Sequence, residues 1–113
     1  MDANLIEAKP TRSGATLTLA SGWTELQKHI KRIGNIIYVD IMATHGTVSP
    51  LQEFKLAEIS GVTITAPVGG ACAWESDLSM GSFYVNTNGE IYVRNMMTAA
   101  QRVNVTFCII VNE

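Results

Sequence analysis

Charge is scarce in this chain. Only 16% of its 113 residues are Asp, Glu, Lys or Arg, against roughly 25% in an average soluble domain, so part of its surface has to carry less polar groups. Eight basic and ten acidic residues give a net charge of −2 without a long run of either sign, so nucleic acid and anionic membranes find no electrostatic footprint here. Long apolar runs are missing too. Nowhere do about 18 apolar residues follow one another, and the opening MDANLIEAKPTRSGA lacks a basic stretch ahead of an apolar one. This predicts neither membrane insertion nor a signal peptide. Cysteine is limited to Cys72 and Cys108, far apart and without Cys-x-x-Cys or Cys/His spacing, so no thiolate metal site is expected. Both read as free thiols in apolar strands, with a disulfide between them left open because sequence does not give their separation.

Catalytic and metal patterns are equally thin. His29 and His45 are isolated, with no nucleophile signature and no His-x-x-His or His-Glu-x-x-His spacing, so neither an enzyme, a metal nor a cofactor is expected. His29, between Lys28 and Lys31, reads as an exposed strand residue and His45, beside Gly46, as a loop residue. Asp40 lies mid-strand among apolar neighbours with no second acid placed to work with it.

What the chain has is strand after strand. ATLTLA (15–20), KHIKRI (28–33) and NIIYVDIMA (35–43) alternate, the last two divided by Gly34 and Asn35. FKLAEI (54–59) fits a strand better than a helix and meets VTITA (62–66) at Ser60-Gly61. Pro67, Gly69 and Gly70 interrupt before ACAW (71–74), and RVNVTFCIIV (102–111) puts Val103, Val105, Phe107, Ile109 and Val111 on one face. MMTAAQ (96–101) is a connection long enough for one helical turn. About eight short strands separated by turn signals predict an all-β fold, an antiparallel β-sandwich of jelly-roll type. Residues 1–14, with Pro10, Ser13 and Gly14 among mixed charges, read as a lead-in segment or linker, and 15–113 as the sandwich domain.

SFYVNTNGEIYVRN (82–95) is the most regular stretch, two alternating runs flanking Asn88-Gly89. A two-residue loop would mix Glu90 and Arg94 into the face of Phe83 and Val85. A three-residue loop of Thr87, Asn88 and Gly89 instead pairs Asn86 with Glu90, puts Phe83, Val85, Ile91 and Val93 on one apolar face, and predicts a type I turn with Gly89 left-handed as a bulge. The other face then presents Tyr84 opposite Tyr92, suited to a neighbouring subunit, to a ligand or to an ordinary solvated sheet. NIIYVDIMA behaves similarly: Ile37, Val39 and Ile41 face one way while Ile36, Tyr38, Asp40 and Met42 give an outer face that is itself largely apolar. Burial between copies is the simplest account, so Tyr38, Asp40, Met42, Tyr84 and Tyr92 are the expected subunit interface.

TLTLASGWT, IKRIGNIIYVDIMA, FKLAEI and GSFYVNTNGEIYVR ahead of a long apolar closing strand resemble, in their order and spacing, the C-terminal head domains of tail-fibre and baseplate receptor-binding proteins of phages and prophages of Gram-positive hosts. The likeness spans about residues 15 to 111 and rests on Ser21-Gly22-Trp23, Arg32-Ile33-Gly34-Asn35 and Asn88-Gly89. It implies a homotrimeric β-sandwich at the tail tip of the virion, made in the bacterial cytoplasm, attached to other tail or baseplate proteins and adhering to a bacterial cell-surface saccharide. Within ACAWESDLSMGS (71–82), Trp74 can stack on a sugar ring while Glu75 and Asp77 accept bonds from its hydroxyls, making these three the expected carbohydrate-binding site. The competing reading puts Trp74 in the core. Trp23 is assigned to packing. Two other functions fit the same residues: a structural trimerisation module of a fibre or baseplate, and a stand-alone secreted carbohydrate-binding module.

Overall fold

The computed structural model describes residues 15–48, 52–74, 79–95 and 100–112. Its strands are β1 (Thr16–Leu19), β2 (Thr24–Ile33), β3 (Ile36–Val48), β4 (Glu53–Ser60), β5 (Val68–Trp74), β6 (Ser79–Val85), β7 (Glu90–Asn95) and β8 (Ala100–Ile110). No helix occurs among the described residues. All neighbours are antiparallel, in the order β1-β4-β7-β6-β5-β8-β3-β2. The expected all-β fold of eight strands is therefore the one the chain adopts, with one refinement. Hydrogen bonding runs unbroken through all eight strands, so the two layers of the sandwich are halves of a single sheet rolled into a near-barrel.

Period-two alternation drives the roll. Ile37, Val39, Ile41 and Ala43 of β3 and Val103, Val105, Phe107 and Ile109 of β8 turn inward beside Leu56, Val85, Ile91 and Val93, all buried. Phe83 of β6 stacks on Phe107 of β8 with ring centroids 5.4 Å apart, although β5 lies between their strands. The β5 residue opposite Phe83 is Gly70, and the Phe83 ring lies against it, 3.4 Å from where a Cβ would stand.

Two strand assignments change. Residues 62–66 form no strand; only Ile64 pairs, as an isolated bridge to Val111. Their apolar alternation is real, but β4 already has β1 on one side and β7 on the other, so the chain cannot fold back on it. It crosses instead to the end of β8, where Thr65 N and Oγ1 donate to the Ile110 carbonyl at 3.3 and 3.2 Å. Conversely, Gly69 and Gly70, read as breakers, lie inside β5, opposite Tyr84 and Phe83.

The hairpin forms as expected. Val85 pairs with Ile91 and Tyr84 with Tyr92, Gly89 N donates to Asn86 O at 2.9 Å, and Gly89 has φ of 90°. The loop is thus Thr87, Asn88 and Gly89, closed by a left-handed glycine. Cys72 is buried and Cys108 exposed, both free, which resolves the open question of a disulfide.

Candidate functional site

The five residues expected at a subunit interface divide between two outer faces of the roll. Tyr38, Asp40 and Met42 stand on β3, and Tyr84 and Tyr92 on β6 and β7. Each face has its own chemistry.

On the β4-β7-β6 side, register places Lys55, Tyr92, Tyr84 and Gly69 in one cross-strand row and Glu53, Arg94, Ser82 and Ala71 in the next. Tyr84 and Tyr92 stack at 5.2 Å with their planes 20° apart. On its other flank Tyr84 is paired with Gly69, which carries no side chain, and the residue is 41% exposed among the described residues. Glu53, Ser82, Tyr84, Tyr92, Val93 and Arg94 line a groove of about 220 Å³ here. That is below the roughly 300–1,000 Å³ of pockets for drug-sized ligands and fits a group the size of one sugar ring. Partial desolvation, then the negative charge of Glu53, pushes the Tyr84 hydroxyl above its usual pKa, so it remains a donor. The neighbouring row is held in place from below. Asn86 Nδ2 donates to Glu90 Oε1 at 2.9 Å and the Tyr92 hydroxyl to the same oxygen at 3.4 Å. The Asn86 hydrogen bond and then the Lys55 charge overcome desolvation to lower the Glu90 pKa. An aromatic face beside a carboxylate, a hydroxyl and a guanidinium is the equipment for holding a polyhydroxylated ring.

On the β2-β3-β8 side, the outward rows are Ile33, Ile36 and Ile110; Lys31, Tyr38 and Cys108; His29, Asp40 and Thr106; and Gln27, Met42 and Asn104. Asp40 is satisfied within the chain. Gln27 Nε2 donates to its Oδ2 at 2.5 Å and Thr106 Oγ1 to its Oδ1 at 2.8 Å, while His29 Nδ1 lies 3.5 Å from Oδ2. Burial works to raise its pKa, but the hydrogen bonds from Thr106, Gln27 and His29 win and the net shift is downward.

Of the expected saccharide site, Trp74 is fully buried and takes no part in stacking on a ligand. Its inward direction follows from sharing a strand face with Cys72, also buried, while Ala71 and Ala73 turn outward. Trp74 Nε1 finds no hydrogen-bond partner among the described residues and lies so close to Gly81 that any Cβ there would collide with it. Glu75 and Asp77 lie outside the described residues. Trp23 packs in the core as expected, 6.4 Å from Trp74, with its Nε1 donating to Lys55 O at 2.9 Å. His29 is exposed on β2 as expected. His45 belongs to β3 rather than a loop, its ring 4.7 Å from that of Trp23 and 4.8 Å from that of Phe54. Glu53 is the groove residue that sequence reasoning missed.

No family model matches the chain, and no curated protein matches it. Among solved structures it is similar to the crystal structure of the head domain of phage bIL170, presented with the question of a common fold for the receptor-binding domains of lactococcal phages. The two chains are 18% identical with a TM-score of 0.64, over 85% of this chain and 94% of that one. The chain thus has the fold of a phage receptor-binding head domain, the architecture that its motif order implied.

Proposed function

We propose that this head-domain fold serves as a non-enzymatic receptor-binding module at a phage tail tip, holding a bacterial surface saccharide in the Tyr84-Tyr92 groove. The observation that carries the reading is the tyrosine stack lining one groove with the Glu53 carboxylate, the Ser82 hydroxyl and the Arg94 guanidinium. The likeness to the bIL170 head domain supports the placement in a virion, and the apolar outer face of β2, β3 and β8 supports more than one copy, three in the arrangement the motif resemblance implies. Several weak sites on one particle would grip a repeating polymer by multivalency.

The test is binding of the chain to purified host-surface polymers and a glycan array, with Tyr84→Ala alongside. Loss of roughly tenfold or more in affinity, about 1.4 kcal/mol or greater, with an unchanged circular dichroism spectrum is the expected result. Full binding by Tyr84→Ala would move the site elsewhere. Absence of binding to every surface polymer would leave the structural module as the better description.

A further inference from the structure

Two opposite charges in the groove face each other without joining. Glu53 of β4 and Arg94 of β7 are cross-strand partners, and Ser82 of β6 is the partner of Arg94 on its other side. Opposed residues on one sheet face stand close enough for an ion pair, yet among the described residues Arg94 and Ser82 enter no ion pair or side-chain hydrogen bond. The adjoining row behaves differently. Lys55 Nζ lies 3.0 Å from Glu58 Oε1 and 3.5 Å from Glu90 Oε2, and Glu90 also accepts from Asn86 and Tyr92, so those charges are already engaged.

We propose that the groove selects a neutral sugar ring through one pair of adjacent hydroxyls, with Arg94 donating to one and Glu53 accepting from the other. The inference rests on the saccharide reading above and narrows its substrate class to uncharged rings with a free vicinal diol. A guanidinium only donates and an ionised carboxylate only accepts, whereas a hydroxyl does both, so two hydroxyls on neighbouring carbons serve both charges at once. Hydrogen bonds of this charge-assisted kind are short and about twice as strong as neutral ones. Ser82 supplies a further hydroxyl beside Arg94, and the tyrosines take the apolar side of the ring. Charged rings fit less well. A carboxylate or phosphate would gain Arg94 but meet Glu53 at once and Glu90 one row away, and the raised pKa of Tyr84, caused by desolvation first and then by these carboxylates among its neighbours, reports the same negative field. An ammonium would gain Glu53 and meet Arg94. A neutral ring is repelled by neither.

The test sets the native chain, Glu53→Gln, Arg94→Gln and Tyr84→Ala on an array of neutral, acidic and amino-sugar glycans, at low and high salt, with the bound glycans screened again after periodate cleavage of their vicinal diols. Neutral glycans should be bound and should stay bound in high salt. Periodate treatment, and each of the two Gln substitutions, should weaken binding about tenfold or more with the thermal midpoint unchanged. Tighter binding by Glu53→Gln with a preference for acidic glycans would overturn the proposal, as would tighter binding by Arg94→Gln with a preference for amino sugars. Periodate-resistant binding by the native chain would do so without requiring any variant to fold. Binding lost in Tyr84→Ala but intact in both Gln variants would remove the diol clamp and leave the proposed function standing. A native chain that binds no glycan and no host-surface polymer would remove both.

Discussion

At the scale of single residues, the tightest constraint is the contact between Trp74 and Gly81. A Cβ on residue 81 would run into the indole Nε1 and into the Arg94 carbonyl, and neither moves without disturbing β5 or β7. Gly81→Ala should therefore cost about 2–3 kcal/mol, the upper range of overpacking, read as a lower denaturation midpoint. Trp74→Phe in the same chain should recover only part of it, since the carbonyl clash stays. Asp40 gives a prediction in pH. Its folded pKa is depressed, so its contribution is fully present above the unfolded value and is lost as pH falls through the folded one. Asp40→Asn should lower stability by about 1–2 kcal/mol at neutral pH, the worth of its charge-assisted hydrogen bonds. The gap to the native chain should close as pH drops below the ordinary carboxylate value of 3.8. Urea midpoints at neutral and acid pH would check this, and a gap that stayed constant would mean that the Asp40 charge stabilises nothing.

At the scale of elements, the β6-β7 hairpin shows how much can be read locally. Alternation on both arms excludes the two-residue loop, because that register drives Glu90 and Arg94 into the core, and the observed pairing follows. Less legible is what holds the turn. Asn86 Oδ1 accepts from the backbone N of Asn88 and of Glu90, each at 3.0 Å, and the Gly89 carbonyl accepts from Ile59 N at 2.8 Å. Asn86→Ala removes the two Oδ1 bonds and the one from Nδ2 to Glu90 Oε1 and should destabilise the domain by about 1–2 kcal/mol, with amide exchange rising first at Asn88 and Glu90. Elsewhere the local signal ran out. Residues 62–66 alternate as a strand does, yet pairing depends on whether a neighbouring edge is free, and β4 has none. In β5, apolar residues on both faces gave no polar marker of the outside, so Trp74 looked available to a ligand. The groove was legible in half: the Tyr84-Tyr92 pair follows from the hairpin register, while Glu53 reaches it through strand order, which no local pattern encodes.

At the scale of the whole molecule, the rolled sheet turns two chemically different faces in different directions. The β4-β7-β6 face carries an aromatic groove, and the β2-β3-β8 face carries a row of exposed isoleucines two rows from a self-satisfied carboxylate. If the first binds saccharide and the second joins copies, substitutions on the two faces separate intrinsic affinity from avidity. Ile36→Glu should leave the dissociation constant for a short soluble oligosaccharide unchanged while lowering retention on a polymer-coated surface by roughly 10²–10⁴, the range that linked sites gain over one. Tyr84→Ala should weaken both measurements in the assembled chain. Surface plasmon resonance on immobilised polymer, paired with calorimetry on the free oligosaccharide, measures the two quantities independently. Equal losses in both assays for Ile36→Glu would show that the seam shapes the groove itself, and the two faces could then no longer be treated as separate devices.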